Sequence, residues 1–324
     1  MIRIRKYNDG LWRDRSARSV LLNTALRVFV KRQFSANTKP PVEMREFMQK
    51  YIEGRAKYPD HVRHWEDELG GVPTHWLRAG TGETDGAILY LHGGAFVVET
   101  PRAHGAFVSE LASRLGMVAA MPSYRLAPEE PFPAAVDDVI ASYRGLLDLG
   151  IDPAKIVVAG DSAGGNLTLV LMQQCKKLGL PIPAVGIMLS PGMDLSGRLR
   201  SHLINTYSDP MFNQYALQQV ITHYLQDDHS LLKDERVSPM RGDFKGLPPL
   251  CFIASNIEIF RDCSIYAAKK AGEAGVEVEC HIWKGMPHCF PVMFTKILPE
   301  AEIALQDMVN FAARHLGLSQ EKAA

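Results

Sequence analysis

Gly160-Asp161-Ser162-Ala163-Gly164 sets a serine between two glycines. The apolar run Ile156–Ala159 precedes it, and a helix-compatible stretch, Asn166–Leu178, follows. A buried strand that turns sharply through such a pentapeptide into a helix holds the serine hydroxyl above a sheet edge, where it can attack a carbonyl. The glycines leave room for the turn and for close approach of neighbouring backbone. A serine hydroxyl is a poor nucleophile at neutral pH and needs a base. The chain has eleven histidines, so setting rather than composition must choose. Val278–Trp283 reads as a late strand leading into Lys284-Gly285-Met286-Pro287-His288-Cys289-Phe290. A Gly/Pro-bounded loop after a late strand fits the chain order serine, acid, histidine, and makes His288 the base. His92 competes, but it precedes a glycine pair and is read as ordering that loop. His61, His104 and His315 are read as surface or scaffold residues.

Acyl transfer also needs backbone N–H groups aimed at the developing oxyanion. Ala87–Leu91 is an apolar strand candidate running into His92-Gly93-Gly94-Ala95-Phe96. The donors are assigned to Gly93 and Gly94, with the N–H of Ala163 as a third. The remaining member is a carboxylate between Ser162 and His288. The strand candidate Leu250–Ala254 leads into Ser255-Asn256-Ile257-Glu258-Ile259-Phe260-Arg261-Asp262, where Glu258 and Asp262 both qualify by position. Asp262 has an alternative role in the first turn of a helix over 261–274. Cys289 beside His288 raises a cysteine nucleophile, but Ser162 has the better setting and Cys289 reads as packing.

The elements that must position these residues alternate. A hairpin over 61–77 turns at Gly70-Gly71. Strand and helix patterns then alternate from Ala87 to Leu189 and resume at Leu250, which predicts an α/β fold: a mostly parallel sheet with helices on both faces. Residues 1–45 are read as a first cap segment, 46–195 as the first part of the core, 196–235 as a cap insertion with a helix at 214–225, and 236–324 as the rest of the core.

The combined motifs resemble the hormone-sensitive-lipase-like esterases of the α/β-hydrolase superfamily. His92-Gly93-Gly94-Ala95-Phe96 is similar to their H-G-G-G-F, and Tyr124-Arg125-Leu126-Ala127-Pro128-Glu129 matches Y-R-L-A-P-E. Asp161–Asn166 matches D-S-A-G-G-N, and Trp283, Gly285, Met286, His288 and Phe290 match W-x-G-M-x-H-x-F. The resemblance implies an α/β-hydrolase core, a helical cap, ester hydrolysis and no cofactor or metal. It assigns Glu258 to the triad, where the family usually has Asp in D-x-L-x-D. It also reads Asp194, in Ser190-Pro191-Gly192-Met193-Asp194-Leu195, as structural. Ala95 replaces the third glycine, a change expected to be tolerated if its φ stays negative. Cap segments over the pocket imply short to medium acyl esters. Another acyl hydrolase, such as an amidase or thioesterase, would use the same triad. A binding module that has lost catalysis would lack the histidine.

Composition fits this reading. Lys plus Arg and Asp plus Glu number 36 each among 324 residues, so nothing in the charge suggests nucleic acid. Five cysteines without a CxxC read as reduced thiols of a cytoplasmic protein, with no metal site implied. No secretory signal or transmembrane span is read, and no stable membrane insertion is expected. The basic stretch around Val20–Val30 is read as a lid helix in preference to a membrane-surface helix, with Leu22, Leu26, Phe29 and Val30 on one face. A small-molecule ester is the expected partner, and the reading leaves room for a homodimer.

Overall fold

The computed structural model describes residues 2–6, 16–31, 40–79 and 86–318. Its sheet has nine strands: β1 (Ile2–Lys6), β2 (Val62–Leu69), β3 (Val72–Ala79), β4 (Ala87–Leu91), β5 (Val118–Pro122), β6 (Ile156–Asp161), β7 (Val185–Leu189), β8 (Leu250–Ser255) and β9 (Val278–Trp283). Their order across the sheet is β1-β9-β8-β7-β6-β4-β5-β3-β2, and β3 alone runs against the rest. The central strands are short apolar runs because both faces are covered, so neither needs a polar alternation. Every residue of β4 is fully buried; Leu89 and Leu91 enter one core, Ile88 and Tyr90 the other.

Two layers cover the faces. One core packs against helices over Ala134–Asp148, Ala163–Leu178 and Arg261–Glu273. The other packs against helices over Pro101–Leu115 and Pro299–Leu316. Helices over Ala17–Phe29, Pro41–Tyr51, Arg200–Ile204 and Gln214–Tyr224 supply the remaining pieces. In chain order the ten helices among the described residues are α1 (Ala17–Phe29), α2 (Pro41–Tyr51), α3 (Pro101–Leu115), α4 (Ala134–Asp148), α5 (Ala163–Leu178), α6 (Arg200–Ile204), α7 (Gln214–Tyr224), α8 (Arg261–Glu273), α9 (Phe290–Met293) and α10 (Pro299–Leu316).

Two expectations for the N-terminus need correction. Residues 2–6 belong to the sheet rather than to a cap, pairing in parallel with Val278–Ile282 of β9. Helix α1 does lie against the histidine loop, where Asn23 Nδ2 donates to Gly285 O at 2.8 Å. Its inward face is Ser19, Asn23 and Leu26, however, while Phe29 is 71% exposed. Polar anchoring at Ser19 and Asn23 joins the inward packing of Leu22 and Leu26 in setting its rotation. No described helix is long and apolar enough to cross a membrane.

Candidate active site

Strand β6 ends at Asp161, and Ser162 follows with φ 53° and ψ −113°. This is a costly backbone for a residue with a side chain, and it persists only where neighbours impose it. Here the Ser162 N–H donates to Leu189 O at 2.8 Å, and the Ser162 carbonyl accepts the N–H of Asn166 and of Gly192. A side chain at Gly164 would lie 1.8 Å from Leu91 O. Helix α5 can therefore start immediately behind the serine only because that position is glycine.

Glu258, just past β8, is fully buried. Its Oε2 lies 2.8 Å from His288 Nδ1, and its Oε1 accepts the N–H of Ser255 at 2.7 Å. Asn205 Nδ2 donates to Glu258 O at 2.8 Å. The carboxylate is thus held by the turn that carries it, which absorbs the extra methylene of glutamate. His288 Nε2 is buried and has no hydrogen-bond partner among the described residues. Phe212 and Phe260 pack on the imidazole, with centroids 5.0 and 5.3 Å away. The same two rings join Ser162 and Ala163 in lining a cavity of about 50 Å³, closed by Ala216, Leu217 and Val220 of α7.

Asp262 is committed elsewhere. Its Oδ2 accepts the N–H of Ser201 at 2.9 Å, its Oδ1 accepts from Arg261 Nε at 2.8 Å, and its own N–H donates to Ser201 Oγ. It ties the start of α8 to α6. Asp194 accepts the N–H of Ser196 at 2.8 Å, in keeping with a structural role. Cys289 is buried, its N–H donates to Ser190 Oγ, and burial pushes its thiol well above the usual range. A thiolate nucleophile is disfavoured there.

The glycine loop departs from the sequence reading. The Gly93 N–H already donates to Asp161 Oδ1 at 2.9 Å, so it is withdrawn from the oxyanion set. Asp161 Oδ1 also accepts from Tyr90 OH and lies 3.3 Å from His104 Nε2. Burial pushes the Asp161 carboxyl up, but the His104 charge and these donors outweigh it and hold the group at about 2. His104 is accordingly a buried ion-pair partner rather than a surface residue. Burial lowers its pKa, the Asp161 charge raises it, and the net shift is upward.

Gly94 has φ 127°, and a side chain there would lie 1.9 Å from Val98 O. Ala95 and Phe96 follow at φ 55° and 63°. The condition that Ala95 keep a negative φ is not met; this chain places an alanine in the left-handed region. Packing over-determines the conformation. The Phe96 ring stacks on Tyr224 at 3.8 Å, and Arg45 Nε donates to Val97 O at 2.7 Å. Tyr124 stacks on His92 at 4.2 Å and donates its hydroxyl to His92 O. The N–H groups of Gly94, Ala95 and Ala163 have no protein acceptor among the described residues.

Known proteins share this fold. A family profile described as an alpha/beta hydrolase fold matches residues 88–292. An esterase of Acinetobacter venetianus is 38% identical over 244 residues, 75% of this chain and 80% of that protein. The chain belongs to the α/β-hydrolases. An acetyl-hydrolase of Streptomyces hygroscopicus is 32% identical to this hydrolase over 239 residues, 74% of the chain and 78% of the relative. A crystal structure of an esterase from the bacterial hormone-sensitive lipase family has TM-score 0.86 and 31% identity, covering 94% of this hydrolase and 100% of that chain. The esterase EstE5, soaked with p-nitrophenyl butyrate, has TM-score 0.87 and 33% identity, covering 93% and 99%. These relatives put the hydrolase in the hormone-sensitive-lipase-like group.

Sequence reasoning missed one residue of the hydrolase's site. Asp209 is fully buried, with Oδ1 accepting the N–H groups of Met211 and Phe212 and Oδ2 accepting that of Ile259 at 2.9 Å. Burial raises its pKa against those donors. The carboxylate pins the inserted segment to the residue directly after Glu258, and it also sets Phe212 on His288. Ser208-Asp209-Pro210 carried a signal, since Asp before Pro initiates side-chain-capped turns. That signal marks a turn and says nothing of what the turn is pinned to.

Proposed function

We propose that this hydrolase, an ester-hydrolysing enzyme, cleaves carboxylic esters of short to medium acyl length through an acyl-enzyme on Ser162. The observation that carries the reading is the Glu258–His288 pair. With Oε2 at 2.8 Å from Nδ1, Glu258 keeps the Nδ1 proton in place, which leaves the Nε2 lone pair free in a buried position. His288 takes the Ser162 proton as Oγ attacks the ester carbonyl. The oxyanion is met by the N–H groups of Gly94, Ala95 and Ala163. His288 then protonates the leaving alcohol as the C–O bond breaks. A water, deprotonated by His288, attacks the acyl-serine and releases the acid. The small apolar cavity under α7 supports the acyl-length limit.

The test is a series of p-nitrophenyl esters of increasing acyl length with purified protein. Ser162→Ala serves as control and should lose on the order of a million-fold in kcat while its circular dichroism is unchanged. Rates should fall towards the long chains. Retention of activity within about tenfold by Ser162→Ala would remove the serine mechanism, and faster turnover of an emulsified long-chain triglyceride would remove the length limit. An amide or thioester series, run beside the esters, separates the related acyl hydrolases.

A further inference from the structure

The hairpin at the sheet edge farthest from β1 carries chemistry that ester hydrolysis does not use. His64 and Glu66 are two apart on β2 and so share a face. His75 on β3 pairs directly with Glu66 in the antiparallel register. Their donor atoms converge. His64 Nε2 lies 3.3 Å from His75 Nδ1, and Glu66 Oε1 lies 3.4 Å from that same nitrogen. All three residues offer ligand atoms within 4.8 Å of one another.

Those separations have a meaning. A tetrahedral ion with bonds of about 2.0–2.1 Å to imidazole nitrogen and carboxylate oxygen has ligand–ligand edges of about 3.3–3.4 Å. The two measured edges that meet at His75 Nδ1 fit this without movement. The His64 ring is also fixed in orientation. Tyr58 stacks on it at 4.1 Å, and Tyr58 is itself packed against Gly105 of α3. The nearby cation Arg102 is neutralised by Glu53 at 3.0 Å, so it does not oppose a second positive charge. The simpler account is an N–H···N hydrogen bond between two neutral imidazoles. With the His75 Nδ1 proton shared between His64 Nε2 and Glu66 Oε1, that account gives the same two edges, so metal binding itself must separate the two.

We propose that His64, Glu66 and His75 form a binding site for a zinc-like divalent ion, with water in the fourth position. Two imidazoles and one carboxylate suit zinc and cobalt rather than calcium or magnesium. The ion would tie β2, the outermost strand here, to β3 across Gly70-Gly71. Strands β5 and β4 stand between this hairpin and β6, which carries Ser162, so its role is to brace the edge and not to act on the ester.

Untagged full-length protein is stripped with a chelator, and Co²⁺ is titrated in while the visible absorption is recorded. The expected result is saturation at one Co²⁺ per chain with the intense bands of four-coordinate cobalt. Zn²⁺ should displace them and raise the urea midpoint of unfolding. His75→Ala removes the shared vertex and should weaken Co²⁺ at least as much as loss of an outer partner does, roughly 10–100-fold. Glu66→Gln, on a side chain 70% exposed, keeps the shape and should weaken binding by a smaller factor. It decides the matter if His75→Ala fails to fold. Absence of the bands, or bands and midpoint shifts that survive Glu66→Gln undiminished, would overturn the site and leave a hydrogen-bonded histidine pair.

Discussion

The loop that carries Glu258 and the loop from Gly93 to Phe96 hold their atoms in opposite ways. Around Glu258 most polar groups are hydrogen-bonded. Ser255 N–H reaches Glu258, Ile259 N–H reaches Asp209, and the Asn256 side chain accepts from Gly285 N–H. The glycine loop instead leaves the N–H groups of Gly94 and Ala95 unused and holds three successive residues at positive φ. Its order comes from ring stacking, from Asp161 beneath and from hydrogen bonds to its carbonyls, Gly94 O and Phe96 O among them. An acid must be immobile and has a permanent partner, so a satisfied network suits it. An oxyanion donor must wait without a partner, and only strain held by packing can keep it aimed.

The comparison breaks most clearly at the acid. Glu258→Gln keeps the shape but lets the imidazole turn to the wrong tautomer, so kcat should fall by up to about 10⁴. Glu258→Asp keeps the charge, loses reach and should retain more. Asp262→Asn should change stability by about 1 kcal/mol and leave kcat much closer to the parent. If kcat of the three purified variants ranks Asp262→Asn as the dead one, the network does not serve catalysis as described. On the strained side, Gly94→Ala forces a side chain towards Val98 O. It should cost about 10²–10³ in kcat, the range for one lost oxyanion donor, with KM moved less. An unchanged kcat would show that the loop's conformation is not what catalysis needs.

A third prediction concerns the ion pair under the loop. Asp161, held at about 2 against an ordinary 3.8, contributes stability that is full above 3.8 and is lost as pH falls towards 2. His104, raised above 6.5, contributes stability that is full below 6.5 and is lost as pH rises through its folded value. The pair should therefore stabilise most between these limits. Urea unfolding of the parent and of His104→Gln, measured from pH 3.8 upwards, should differ most below pH 6.5 and converge as pH rises through the folded-state value of His104. A constant difference would mean that the pair acts through packing alone. The smallest effect is at Ala95. Relief of a left-handed alanine by Ala95→Gly is worth about 1–2 kcal/mol, offset by about 0.4–1 kcal/mol of backbone entropy in the unfolded chain. A net gain of about 0–1.6 kcal/mol by denaturant midpoint is expected, and a net loss would show that the alanine methyl packs usefully.

What could be read from the sequence follows the same division. Ser162, Glu258 and His288 stand one, three and five residues after buried strands, and periodicity locates strands well. Strand ends β6, β8 and β9 fell within two residues of their expected positions. Which glycine N–H faces the substrate could not be read, because it depends on Asp161 turning back to Gly93, a contact across 68 positions. Asp209 was hidden for the same reason: its partner Ile259 lies 50 residues away. The His64, Glu66 and His75 cluster needed the hairpin register before its spacing meant anything. Strand β1 was missed because Ile2-Arg3-Ile4-Arg5-Lys6 is short and basic, as befits an edge, and it lay inside the stretch read as cap.

That first strand also bears on how the molecule behaves among its copies. Strand β9 is buried along its length, and β1 is what occupies its outer hydrogen-bonding row. Without β1 that row becomes a template on which another chain can add a strand. The charged residues Arg3, Arg5 and Lys6 make a poorer template. Removal of residues 2–6 is therefore expected to expose that row and promote self-association.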